Sequence, residues 1–144
     1  MTHKDADHYA AKHSKETKLN SEIATAIKLK LSDNSITCAA AHKIATVLAV
    51  RPLAVGTTID LLEKKLSKCQ LGLFGYKPHK KPVKAAATVS VNLANQIRAS
   101  SENQHISCLA CWQLAQEQSY TKMDVAAACN SLKIRICNCQ LGAF

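Results

Sequence analysis

Seven cysteines are spread unevenly along the 144-residue chain, and five of them stand between residues 108 and 139. Two pairs have spacings that chemistry uses. Cys108-Leu-Ala-Cys111 puts two thiols about one helical turn apart, and Cys137-Asn-Cys139 adds two more close by in sequence. A zinc ion or an iron–sulfur cluster takes about four converging thiolates, so Cys108, Cys111, Cys137 and Cys139 are the candidate metal ligands. Cys38 and Cys69 stand alone in the first half, too few for a site of their own. Packing is the leading explanation for all seven, because a free Cys behaves as a small hydrophobe and is among the most buried residue types. No cofactor is therefore expected, with zinc or an iron–sulfur cluster as the alternative. The odd count, and a start (MTHKDADHYAAKHSKET) without a secretory apolar run, favour free thiols over a disulfide framework.

Other chemistry is thin. No Ser/His/Asp set, carboxylate pair or phosphate-cradling glycine loop is present, so an enzyme is not expected. His3, His8 and His13 read as solvated residues of a polar N-terminal segment, His42 as a helix-surface residue, and Trp112 as a core or interface residue. Charge says more. The net charge is +9, with +4 on residues 1–74, +4 on residues 75–88 and +1 on residues 89–144. A basic chain with a basic hinge, GYKPHKKPVKAAAT, favours a polyanionic partner, whereas a merely solvated linker is the plainer alternative. No stretch reaches the roughly 18–20 apolar residues of a membrane span, so a cytoplasmic protein without a membrane partner is expected.

The elements that must position these residues come twice. Displaced by 70 positions, Ala24 meets Ala94, Ile27 meets Ile97, Ile36 meets Ile106, Cys38 meets Cys108, Ala45 meets Ala115, Val55 meets Val125 and Leu62 meets Leu132. The phrase Cys69-Gln70-Leu71-Gly72 returns as Cys139-Gln140-Leu141-Gly142, with Phe74 echoed by Phe144. The register runs without a gap from Leu19 to Phe74, which is the signature of an internal duplication. Four regions follow: a polar, helical or frayed segment 1–18, a first repeat 19–74, a basic linker 75–88 and a second repeat 89–144. The phrase is expected to close each repeat, its Leu and Phe anchoring the last strand and its Gly turning the chain.

Within one repeat the pattern is mainly α. Asn20 or Ser21 can cap a helix carrying Ile23, Ala24, Ile27 and Leu31. Asp33-Asn34-Ser35 forms a turn. A second helix runs from Cys38 towards Ala49, and Pro52 suits the first turn of a third. In the second repeat Thr121 and Asp124 form a capping-box pair at the equivalent boundary. The segment after each third helix shifts to strand spacing, most clearly in IRICNCQL. The fold class expected is thus mainly α: a duplicated three-helix unit with a short β-strand or hairpin.

This order resembles the winged helix-turn-helix superfamily. The resemblance is carried by Ala45, Val50, Val55, Ile59 and Leu62 in ITCAAAHKIATVLAVRPLAVGTTIDLL and by Ala115, Tyr120, Val125, Cys129 and Leu132 in the second repeat. It implies a third helix that lies in the major groove of duplex DNA, exposing Leu53, Ala54, Gly56, Thr57 and Asp60 in one repeat and Lys122, Met123, Ala126, Ala127 and Asn130 in the other. Base reading draws on Arg, Lys, Asn and Gln. Here Thr57, Thr58, Lys122 and Asn130 are the candidates, and Asp60 has the wrong sign unless it turns inward. Phosphate contacts would come from Lys64, Lys65, Lys68, Lys77, Lys80, Lys81 and Lys84. The expected function is that of a DNA-binding or transcription-regulatory protein acting on duplex DNA or another polyanion. A helical interaction or scaffold subunit with a protein partner is the alternative, and a cysteine-ligated metal or redox sensor the third.

Overall fold

The structure, a computed structural model, describes residues 8–78 and 81–144. His3 and Lys80 lie outside the described residues. The chain divides into two compact units. Unit 1 holds a 3-10 turn, Tyr9–Lys12, then α1 (Ser21–Lys30), β1 (Ser35–Thr37), α2 (Cys38–Leu48), α3 (Pro52–Leu61) and β2 (Lys65–Ser67). Unit 2 holds α4 (Val91–Ser100), β3 (His105–Ser107), α5 (Cys108–Gln118), α6 (Lys122–Ser131) and β4 (Arg135–Cys137). Each element of unit 2 begins 70 residues after its counterpart in unit 1. The protein is mainly helical, with small strand pairs. No single helix among the described residues is long and apolar enough to cross a membrane.

Short polar side chains start the helices by accepting free amides of the first turn. Asn20 accepts from Ile23 N at 3.0 Å and Thr37 from Ala40 N at 3.1 Å; Ser90 and Ser107 do the same for Leu93 and Ala110. Thr121 and Asp124 close a reciprocal capping box, whereas α3 starts with Pro52 in its first turn. The turn between second and third helices needs a left-handed residue. Ala49 takes it in unit 1 (φ 55°) and Ser119 in unit 2 (φ 58°), in place of the glycine such turns favour. Across that turn α2 and α3 bend by 118°, within the range of helix-turn-helix pairs.

The cores follow the apolar stripes. Ile27, Ile36, Val55 and Ile59 are buried in unit 1, as are Ile97, Ile106, Val125 and Cys129 in unit 2. Each core is edged by a parallel strand pair, with Ile36 beside Leu66 and Ile106 beside Ile136. One three-residue strand follows each third helix, and no hairpin follows either among the described residues. The reason is local: Lys68 (φ 48°) and Asn138 (φ 51°) are left-handed and turn the chain out of the strand after three residues.

The same turns change where the repeated phrase goes. Each phrase was expected to close its own repeat. Instead unit 1 contains Gln140–Phe144, and Gln70 onward belongs to unit 2. The tails are exchanged. The two phrases carry the same anchors, so nothing in their composition distinguishes one receiving helix from the other. In unit 1 the buried Leu141 presses its backbone onto α3: a Cβ on Gly56 would stand 1.7 Å from the Leu141 carbonyl oxygen. Gly142 (φ 77°) then turns the chain, and its carbonyl accepts from Lys12 Nζ at 3.0 Å. In unit 2 Leu71 is buried and Gly72 (φ 72°) lies against Val83 and Met123.

Gly56→Ala should force the tail off α3. The expected loss is about 1–3 kcal/mol of unfolding free energy, the usual cost of overpacking, read as a lower urea midpoint. An unchanged midpoint would mean that Leu141 does not seat there.

Candidate interaction groove

The third helices are the elements on which a DNA reading depends, and both are covered. In unit 1 the segment before α1 lies across α3. Tyr9 is buried, and the amides of Tyr9 and Ala10 each donate to the Glu63 carboxylate at 2.8 Å. His13 Nε2 lies 2.8 Å from Asp60 Oδ2 and donates to it, and Lys12 Nζ stands 3.2 Å from the same oxygen. Asp60 is 2% exposed. Two expectations change here. His13 is not a solvated residue but the partner of a buried carboxylate, and Asp60 is turned inward, where its charge is offset by Lys12. Sequence spacing hid this pair because its partners are far apart in the chain and the segment carrying His13 reads as polar throughout.

In unit 2 the linker takes the equivalent path. Val83 is buried, and Ala86 N donates to the Ala127 carbonyl on α6 at 3.1 Å. Little of either third helix is left for a groove in DNA. Leu53, 44% exposed, is the one exposed residue of α3, and Gly56 and Ala126 are buried. Thr58 is withdrawn as a base-reading candidate, being 3% exposed with its hydroxyl donating to the Ala54 carbonyl at 2.9 Å. Thr57 is half-buried, and Asn130 is exposed on α6. Of the phosphate candidates, Lys65 and Lys68 are exposed in unit 1, and Lys77, Lys81 and Lys84 in unit 2. Lys64 is half-buried and donates to Asn34 Oδ1 at 2.6 Å.

The open site lies elsewhere, beside the α5–α6 turn of unit 2. A groove of about 730 Å³ is lined on one side by Leu109, Trp112, Gln113 and Gln116, which share a face of α5 at helical spacing. Tyr120, Lys122 and Met123 line the other side, and Gln70 of the repeated phrase completes it. Leu109 is 50% exposed and Tyr120 36%. Lys122 Nζ sits 4.4 Å from the centre of the Trp112 ring, a cation–π contact that holds both side chains at the groove wall. The Tyr120 hydroxyl is 3.2 Å from the Ser90 hydroxyl. Helix α5 thus has two apolar stripes. Cys108, Cys111, Leu114 and Ala115 face the core, and Leu109 with Trp112 faces the groove. The second stripe was the available signal, passed over when Trp112 was read by itself. The same register of unit 1 holds Ala39, His42, Lys43, Thr46, Val50, Pro52 and Leu53 and lacks the aromatics.

The thiols do not assemble as the spacings suggested. Cys108, Cys111 and Cys129 are buried, and Cys137 and Cys139 half-buried. Among the described residues no three His, Cys, Asp or Glu side chains are placed to hold a metal ion. The close pair is Cys111 on α5 with Cys129 on α6, and Cys129 was not among the metal candidates. The Cys111 thiol donates to Cys129. That hydrogen bond, then burial, pushes Cys111 well above the ordinary thiol range, and the same hydrogen bond lowers Cys129 against its burial. No protein-family model, curated protein or solved structure matches the chain.

Removing the His13 contact tests the covering segment. His13→Ala is expected to cost about 1.5–3 kcal/mol, the range for hydrogen bonds to charged groups, in urea unfolding. His8→Ala, at an exposed position, should stay at the wild-type midpoint. Equal midpoints for the two variants would refute the anchoring role of His13.

Proposed function

We propose that the chain is a tandem duplication of a helix-turn-helix unit of winged-helix type, used as a protein-interaction module whose second unit binds an acidic, apolar segment of a partner protein. One observation carries this: an unfilled groove walled by Trp112, Tyr120, Leu109 and Met123 stands open at the helix-turn-helix turn. Exposed apolar surface of this kind is where soluble proteins meet partners, and Trp, Tyr and Met are enriched at the centres of interfaces. The three glutamines can pair with a partner's backbone. Lys122 and the positive net charge favour carboxylates next to the apolar anchor. A DNA-reading surface would instead show Arg and Lys on the third helices, where Leu53 and the half-buried Met123 stand.

Selection of displayed random peptides on the intact protein should enrich sequences with an aromatic or aliphatic residue flanked by Asp or Glu. Trp112→Ala should weaken their binding at least about thirtyfold, the effect of losing an interface hot spot of about 2 kcal/mol or more. Absence of any consensus, or equal binding by the variant, would count against the groove.

Nucleic-acid binding is the second reading, favoured by the charge of +9 and by the exposed Lys65, Lys68, Lys77, Lys81 and Lys84. On that reading a labelled random duplex binds with an affinity that falls steeply with salt. Changing Lys77, Lys80, Lys81 and Lys84 together to Ala lowers the slope of log K against log salt by about 3–4. No binding at low salt in fluorescence anisotropy removes this reading.

A further inference from the structure

The cores of the two units differ at a pair of matching positions. In unit 1 they are Ala41 on α2 and Ile59 on α3; in unit 2 they are Cys111 on α5 and Cys129 on α6, and all four side chains are fully buried. The unit 1 core shows that packing at these positions does not call for sulfur. Unit 2 has two thiols there, in hydrogen-bond contact, on helices joined by a short turn. Side chains already touching through sulfur are within reach of a bridge, which needs Cβ atoms about 3.5–4.5 Å apart.

We propose that Cys111 and Cys129 form a two-thiol redox site that a peroxide oxidises to a disulfide within unit 2. Cys129 is the attacking sulfur, because the Cys111 S–H hydrogen bond stabilises its thiolate. The Cys129 thiolate takes one peroxide oxygen, the O–O bond breaks, and the departing hydroxide picks up a proton to become water. This leaves a sulfenic acid on Cys129. The Cys111 sulfur then attacks the Cys129 sulfur. The S–O bond breaks, the proton released by Cys111 leaves with the hydroxyl as a second water, and the S–S bond closes. Two thiols and one hydrogen peroxide give one disulfide and two waters, the two electrons passing from sulfur to oxygen. Because both sulfurs are buried, the peroxide reaches them when α5 and α6 part locally, which sets the rate of the step.

The bridge bears on the groove as well. Trp112 follows Cys111 on α5, and Lys122 and Met123 open α6, so closing an S–S bond of about 2 Å moves the groove walls. That consequence rests on the docking role of the groove; the disulfide does not.

The test uses the intact reduced protein treated with hydrogen peroxide, alkylated under denaturing conditions and mapped as peptides without reduction. The expected result is a linked pair of peptides carrying Cys111 and Cys129. It should be reversed by dithiothreitol, lost in Cys111→Ala and Cys129→Ala, and accompanied by a shift in Trp112 emission. Recovery of Cys111 and Cys129 as free thiols from oxidised wild type, with or without bridges among the other cysteines, overturns the proposal, and so does further oxidation of Cys129 without a bridge. The wild-type map decides even if a variant fails to fold. A confirmed bridge with unchanged peptide binding would separate the redox site from the docking role of the groove.

Discussion

The approach of one backbone to another governs this protein. Leu141 presents its carbonyl to α3 where any side chain at residue 56 would stand, and that contact closes unit 1 with a segment from the far end of the sequence. Gly56 is therefore not a concession in a helix otherwise made of β-branched and apolar residues. It accepts the roughly 1 kcal/mol helical cost of glycine in exchange for a seat for the tail. Lys12 joins the tail carbonyl at Gly142 to the buried Asp60, so the covering segment and the tail are fastened to α3 together. A buried carboxylate is tolerable here because a cation and an imidazole meet it.

Covering the third helices redirects what the fold can do. A helix-turn-helix order is compatible with DNA binding, but here the helix that would enter a groove exposes a leucine and spends its remaining surface on core, strap and tail. The second unit departs from the first where α5 gains an outer stripe of Leu109 and Trp112 and where its core gains two touching thiols. Divergence between two otherwise matching units falls on the groove and directly beneath it.

Much of this was legible in the residues. Asn20, Pro52 and the Thr121–Asp124 pair mark helix starts by local chemistry that does not depend on the rest of the chain, and the 70-residue periodicity fixes equivalent positions. The inward stripe of Ile27, Ile36, Val55 and Ile59 follows from helical spacing. What spacing cannot carry is the choice between two equivalent receivers, and the exchanged phrases are such a choice. Nor does local pattern reveal the match of His13 with Asp60, a long-range pairing inside a segment that looks solvated. The CxxC and CxC spacings drew attention to the wrong partners, because the close contact runs between helices, from Cys111 to Cys129. Trp112 was visible from the start, but its role depends on Tyr120 and Lys122 across a turn.

The exchanged tails also bear on the nascent chain. Small domains commonly fold as they leave the ribosome, N-terminal unit first. Unit 1 cannot be completed that way, since Leu141 is translated after the whole of unit 2. Until then α3 offers an empty seat that fits Leu71 of the adjacent phrase almost as well, and the growing polypeptide has a competing local closure available before the final one. Which partner occupies that seat during translation becomes a matter of timing as well as of affinity.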